Sequence, residues 1–124
     1  MRVLIIEDNS AVRARLVSLV QDIAGVGFIA QAADGVEGLE RITTDRPEVV
    51  LLDLQMPRMN GFRVLETLGP RTSILTVVVL SNHIEYREHV LQRGASFFFD
   101  KATQLDELAA TLADLASGAP PNSP

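Results

Sequence analysis

The sequence predicts an α/β fold built on a doubly wound parallel sheet, and three observations carry that prediction. Short β-branched or leucine-rich runs recur five times along the chain. Segments with helical spacing of apolar residues lie between them. The chain has 124 residues, 47% hydrophobic and 22% charged, enough for one soluble domain to bury its own core. Strands that alternate with helices become parallel neighbours, because each helix carries the chain back to where the next strand must start. Right-handed crossovers then put helices on both faces of the sheet.

The elements follow in order. Val3–Ile6 is continuously apolar, as suits a strand buried on both faces. Val12, Leu16, Leu19, Val20 and Ile23 then form one face of a helix. Phe28–Ala32 is the second strand, and Val36, Leu39 and Ile42 mark a shorter helix. Val49–Leu52 is the third strand. The stripe Phe62, Leu65, Leu68 follows, with Asn60 as its N-cap. Ile74–Leu80 is the fourth strand. Ile84 to Gln92 has no clean apolar face, yet it joins two strands and ends at Gly94, so it is assigned as a helix. Ser96–Phe99 is the fifth strand, where alternation sets Phe98 on the face opposite Phe97 and Phe99. Leu105, Leu108, Leu112 and Leu115 form the last helix, with Thr103 as the expected cap. Residues 1–117 make the domain; 118–124, rich in proline, form a disordered tail or the start of a linker.

Composition removes several classes of function. There is no cysteine, so disulfides, thiolate metal sites and cysteine nucleophiles are excluded. A net charge of -5 opposes direct binding to nucleic acid or anionic membrane. The apolar run Val3–Ile6 is too short for a signal peptide or a membrane span, and a cytoplasmic location is expected. His83 and His89 lie six apart with no third imidazole, which makes no metal box.

The chemistry is expected beyond the carboxyl ends of the strands, where parallel sheets of this kind bind ligands. Glu7 and Asp8 follow the first strand, Asp53 the third, Ser81 the fourth and Lys101 closely follows the fifth. Singly, each has an ordinary structural role: helix-dipole charges, a turn hydroxyl, a solvated amine. Together, three carboxylates at neighbouring strand ends repel one another and call for positive charge. A hard divalent cation such as Mg²⁺ suits an oxygen donor set, and the ammonium of Lys101 supplies a second, compact charge. A carboxylate so placed can act as a nucleophile toward phosphorus, with metal, amine and the Ser81 hydroxyl neutralising the transferred group.

These residues resemble the receiver domains of two-component response regulators. The resemblance covers residues 1 to about 117 and rests on Ile6-Glu7-Asp8-Asn9, Leu51 to Pro57 with Asn60-Gly61, Ser81 after Val77-Val78-Val79-Leu80, and Gly94-Ala95 with Asp100-Lys101. It implies a flavodoxin-like sheet of five strands in the order 2-1-3-4-5, with five helices. It implies that Asp53 is the phosphoacceptor and that Asp8, Asp53 and the backbone carbonyl of Gln55 ligate Mg²⁺, with Glu7 acting through water. Lys101 takes the role of the phosphate-binding lysine, Ser81 of the mobile hydroxyl and Phe98 of the aromatic switch. The Met56-Pro57 pair and Gly61 shape the loop after the acceptor. Gln55 and His83 flank the site where they can steer water. Ala102 stands where proline usually follows the lysine, so a cis Lys101–Ala102 bond is much less expected. Phe98 lacks the hydroxyl of the more usual tyrosine.

The implied function is a phosphorylatable signalling switch. A histidine kinase or phosphotransfer protein donates the phosphoryl group, and the face made by the fourth helix, fifth strand and fifth helix changes its partner preference. The output is a downstream protein target or an output domain beyond Pro124, with a phosphorylation-dependent dimer as one form of it. Two other classes of function compete with this one. A phosphatase of the haloacid-dehalogenase type needs a second Asp two residues after the nucleophile, where this chain has Gln55. An interaction-only domain would not need the intact acidic set, Ser81 and Lys101.

Overall fold

The computed structural model describes residues 1–118. Five strands form one parallel sheet: β1 (Arg2–Ile6), β2 (Phe28–Ala32), β3 (Val49–Asp53), β4 (Thr76–Ser81) and β5 (Phe97–Asp100). Their spatial order is β2-β1-β3-β4-β5, as the resemblance implied. Helices α1 (Ser10–Gln21), α2 (Gly35–Asp45), α3 (Gly61–Leu68), α4 (Arg87–Gln92) and α5 (Leu105–Ser117) make the crossovers and the final cover.

The sheet separates two apolar layers, and period-two alternation decides which residue enters which. On one side Leu4, Ile6, Val50, Leu52, Val79 and Phe98 pack with residues of α2, α3 and α4. On the other, Val3, Ile5, Leu51, Leu80 and Phe99 pack against Leu16 and Val20 of α1 and Leu108 and Leu112 of α5. Phe98 is therefore opposite Phe97 and Phe99, which stack with centroids 6.2 Å apart. Every residue of β3 is buried, which is why this strand reads as VVLLD rather than as an alternating pattern.

Three local features differ from the sequence reading. Ile74 does not begin β4; it ends a 3₁₀ turn, Gly69–Ser73, and is 80% exposed. A β-branched residue beside a strand carries a strand-like local signal whichever side of the boundary it falls on. The Ile84–Gln92 segment is a 3₁₀ turn, Ile84–Tyr86, followed by only six helical residues, and this break accounts for its untidy apolar face. Thr103 is not the cap of α5. Gln104 holds that position, with its side chain turned to accept from the Asp100 N–H at 2.8 Å, while Asp100 accepts from the Ala102 N–H at 2.8 Å. The Asn60 cap is as expected, its Oδ1 accepting from Arg63 N–H at 3.0 Å. No peptide bond is cis among the described residues, Lys101–Ala102 included. Gly118 closes α5 in the left-handed region at φ +78, and the proline-rich tail expected to follow lies outside the described residues from 119 on.

Candidate functional site

Register builds the site. Ile6 pairs with Leu52, so Glu7 and Asp53 emerge side by side at the point where the strand order reverses. Asp53 pairs with Leu80, which places Ser81 one residue further out; Ser81 pairs with Asp100, which places Lys101 next. Glu7, Asp8, Asp53, Gln55, Ser81 and Lys101 thereby share one cavity of about 270 Å³. All the site residues read from strand ends converge there. Phe98 does not line it; this side chain sits in the core beneath α4 and borders a larger cavity of about 450 Å³ between α4, β5 and α5. Among the described residues, the acidic cluster of Glu7, Asp8 and Asp53 lines the smaller cavity and not the larger one.

Burial makes the small cavity electrostatically tense. Glu7 is 1% exposed and Asp53 6%, whereas Asp8 faces solvent. Lys101, the only lysine of the chain, points its Nζ between the two buried carboxylates, 2.5 Å from Glu7 Oε1 and 3.1 Å from Asp53 Oδ1. The Lys101 ammonium is the one group that meets the buried Glu7 Oε1 among the described residues. The other oxygen, Oε2, accepts from the Asn9 N–H at 3.1 Å. Burial pushes the Glu7 carboxyl up, although the Lys101 and Asn9 contacts pull against it. Burial also raises Asp53, against the attraction of the Lys101 ammonium. For Lys101, burial alone would favour the neutral amine; the facing Glu7 and Asp53 carboxylates outweigh it and hold the ammonium above its ordinary value.

One amine against two buried carboxylates and a third at the rim leaves the site short of positive charge. Oxygens of Glu7, Asp8 and Asp53 come within 4.8 Å of one another, close enough to share one ion. An all-oxygen set from three carboxylates, faced by a single amine, fits a hard divalent cation such as Mg²⁺.

The supporting backbone is specific. Gly61 donates to the Leu54 carbonyl at 2.9 Å, and a Cβ there would lie 2.5 Å from the Asp53 carbonyl oxygen. Only glycine lets the loop after Asp53 fold back this tightly. Ser81 is buried, and its Oγ accepts from the His83 N–H at 3.0 Å, tying the end of β4 to the segment that leads into α4. The reading from strand ends missed Asn9, which both caps α1 through Val12 N–H and holds Glu7 through its own N–H. Its signal was present, since an asparagine precedes the first helical stripe.

The comparisons agree with this geometry. Residues 3–113 match the model of the response regulator receiver domain. The chain is 36% identical over 115 residues to the response regulator MprA of Mycobacterium avium, covering 90% of this chain and 49% of that protein. It is likewise 36% identical over 114 residues to MprA of Mycobacterium ulcerans, covering 90% and 48%. The chain thus spans about half the length of these curated relatives. The signal receiver domain of NarL from Mycobacterium tuberculosis superposes with a TM-score of 0.82 at 29% identity, covering 94% of this chain and 96% of that one. The response regulator TrrA from Thermotoga maritima, solved in complex with Mg²⁺-BeF, has the same fold with a TM-score of 0.81 at 24% identity, covering 92% and 97%. The parallel sheet gathers an acidic cluster, a hydroxyl and an amine at its carboxyl edge, and the family match assigns this arrangement to a class of signalling proteins. The chain belongs to the response regulator receiver domain family of two-component systems. No helix among the described residues is long and apolar enough to cross a membrane.

Proposed function

We propose that this domain is a phosphorylatable switch in which Asp53 accepts a phosphoryl group from a histidine kinase or phosphotransfer protein. The observation that carries this reading is the pairing of a buried Asp53 with Lys101 inside an acidic cavity. An oxygen of Asp53 attacks phosphorus; the bond from phosphorus to the donor nitrogen breaks, and its electron pair returns to the imidazole. Glu7, Asp8, Asp53 and the Gln55 carbonyl are the groups to hold Mg²⁺, whose charge, when bound, offsets that of the equatorial phosphoryl oxygens. Lys101 binds and orients the phosphoryl group from the side of β5, so the amine that now offsets Glu7 and Asp53 changes partner without leaving the cavity.

The output follows from Ser81 and Phe98. The Ser81 hydroxyl turns to donate to the phosphoryl group, giving up the contact it now accepts from His83 N–H. That releases the 3₁₀ turn and short α4, an element of six residues held by few backbone bonds. Phe98, buried beneath α4, repacks, and the α4–β5–α5 face with its 450 Å³ cavity changes shape for a protein target, an output domain or a second copy.

The test is incubation with Mg²⁺ and a small acyl-phosphate donor, read by intact mass. One phosphoryl group is expected on the native chain, none without Mg²⁺ and none on Asp53→Asn. Equal uptake by that variant rejects the role of Asp53.

A further inference from the structure

The loop that leads from Asp53 to α3 is clamped at its tip by a residue pair that does not line the acidic cavity. Arg58 Nε donates to Asp34 Oδ2 at 2.9 Å, and its terminal nitrogen donates to Oδ1 at 3.0 Å, a bidentate fork. Asp34 is the N-cap of α2 and accepts at the same time from the Glu37 N–H at 2.9 Å. Beside it, Gly35 N–H donates to the Met59 carbonyl at 3.1 Å, and a Cβ on Gly35 would stand 2.3 Å from that oxygen. Arg58 itself is held in the left-handed region at φ +64, where a residue other than glycine stays only under constraint. The base of the loop is fixed by Gly61 N–H on Leu54 O, and its first exposed residue, Gln55, lines the acidic cavity. The loop is therefore pinned at both ends, and α2 supplies the outer pin.

We propose that Asp34 and Arg58 are a positioning pair for divalent-cation binding, fixing the segment 54–60 so that Gln55 stays at the rim of the acidic cavity. This rests on the reading of Asp53, Gln55 and their neighbours as the cation site. The pair touches neither cation nor phosphoryl group; it sets where the loop backbone stands. Removing it frees the loop tip, so the cation must order the loop on binding, and affinity falls while chemistry at saturating cation does not.

The experiment uses Asp34→Asn, which keeps a good N-cap but loses the charge, and Arg58→Asn, which tolerates the left-handed backbone but loses the fork. Mg²⁺ affinity is measured by titration calorimetry on the unphosphorylated domain, and hydrogen exchange of the Gly35 amide is followed without metal. Each variant is expected to bind Mg²⁺ about fivefold more weakly, below the roughly 10–100-fold loss seen when a group bonded directly to a metal ligand is removed. The double variant is expected to be no weaker than either single one, the Gly35 amide to exchange faster, and the phosphorylation rate at saturating Mg²⁺ to match the native rate. Native Mg²⁺ affinity in both variants, or a fall in rate that excess Mg²⁺ does not restore, overturns the proposal. Weaker Mg²⁺ binding by both variants, with no phosphoryl uptake by the native chain, supports the positioning pair and removes the Asp53 reading alone.

Discussion

Replacing Lys101 with methionine keeps the length of the side chain and removes its charge. In the native chain the ammonium stands 2.5 Å from Glu7 Oε1 and 3.1 Å from Asp53 Oδ1, with its side chain 16% exposed. Removing one partner of a buried ion pair costs about 3–5 kcal/mol, because the remaining charge is left uncompensated. Two carboxylates are stranded here, but residual water access and proton uptake cap the penalty, so about 3 kcal/mol is expected at pH 7.5. For a domain of this size that lowers Tm by roughly 10 °C. The pH dependence has a definite sign. Burial raises both Glu7 and Asp53, so the folded chain binds their protons more tightly than the unfolded chain does. Their ionisation therefore costs stability as pH rises through the folded values, and that cost is recovered on acidification. Without the amine the folded values rise further, so the variant recovers more than the native chain, and the gap narrows between pH 7.5 and 5.5. Urea denaturation at the two pH values, with and without Mg²⁺, measures it; Mg²⁺ is expected to restore part of the loss at pH 7.5. A loss below about 0.5 kcal/mol, as at an ordinary surface position, or a gap that widens on acidification, would refute the reasoning.

Other outcomes follow from the same geometry. Mg²⁺ affinity is expected to fall between pH 7.5 and 5.5, because protons compete for Glu7 and Asp53; calorimetric titration in two buffers reads this. Asn60→Ala removes the acceptor of the Arg63 N–H and is expected to cost about 1 kcal/mol in urea denaturation. Gly35→Ala sets a Cβ 2.3 Å from the Met59 carbonyl oxygen, whereas at Gly38 the nearest atom is Ile6 Cδ1 at 2.5 Å, the tip of a flexible side chain. The first is expected to lose about 2–3 kcal/mol and the second about 1 kcal/mol, again by denaturation. Leu112→Ala, which empties a fully buried position on the sheet-facing side of α5, is expected to cost about 3 kcal/mol by the same assay.

The elements that were legible in the sequence are those whose signal is local. Val3–Ile6 and Val49–Leu52 are apolar because both faces are covered, and Asn60 announces a helix start by its own chemistry. The site was legible because parallel register carries each strand end to the same edge, so order along the chain became adjacency in space. Where the reading failed, a local signal had a competitor. Thr103 is a good cap by type, but the Gln104 side chain and the Asp100 carboxylate close the turn first. Ile74 is β-branched, yet a 3₁₀ turn ends on it. The Asp34–Arg58 pair was beyond reach for a different reason: its members are 24 residues apart, and no periodicity links a helix cap to a loop tip.

With ten arginines and one lysine, these 124 residues offer an acylating reagent a single side-chain amine, and it stands in the acidic crevice. Whatever fills the crevice shields this nitrogen, so the label it takes becomes a footprint of occupancy.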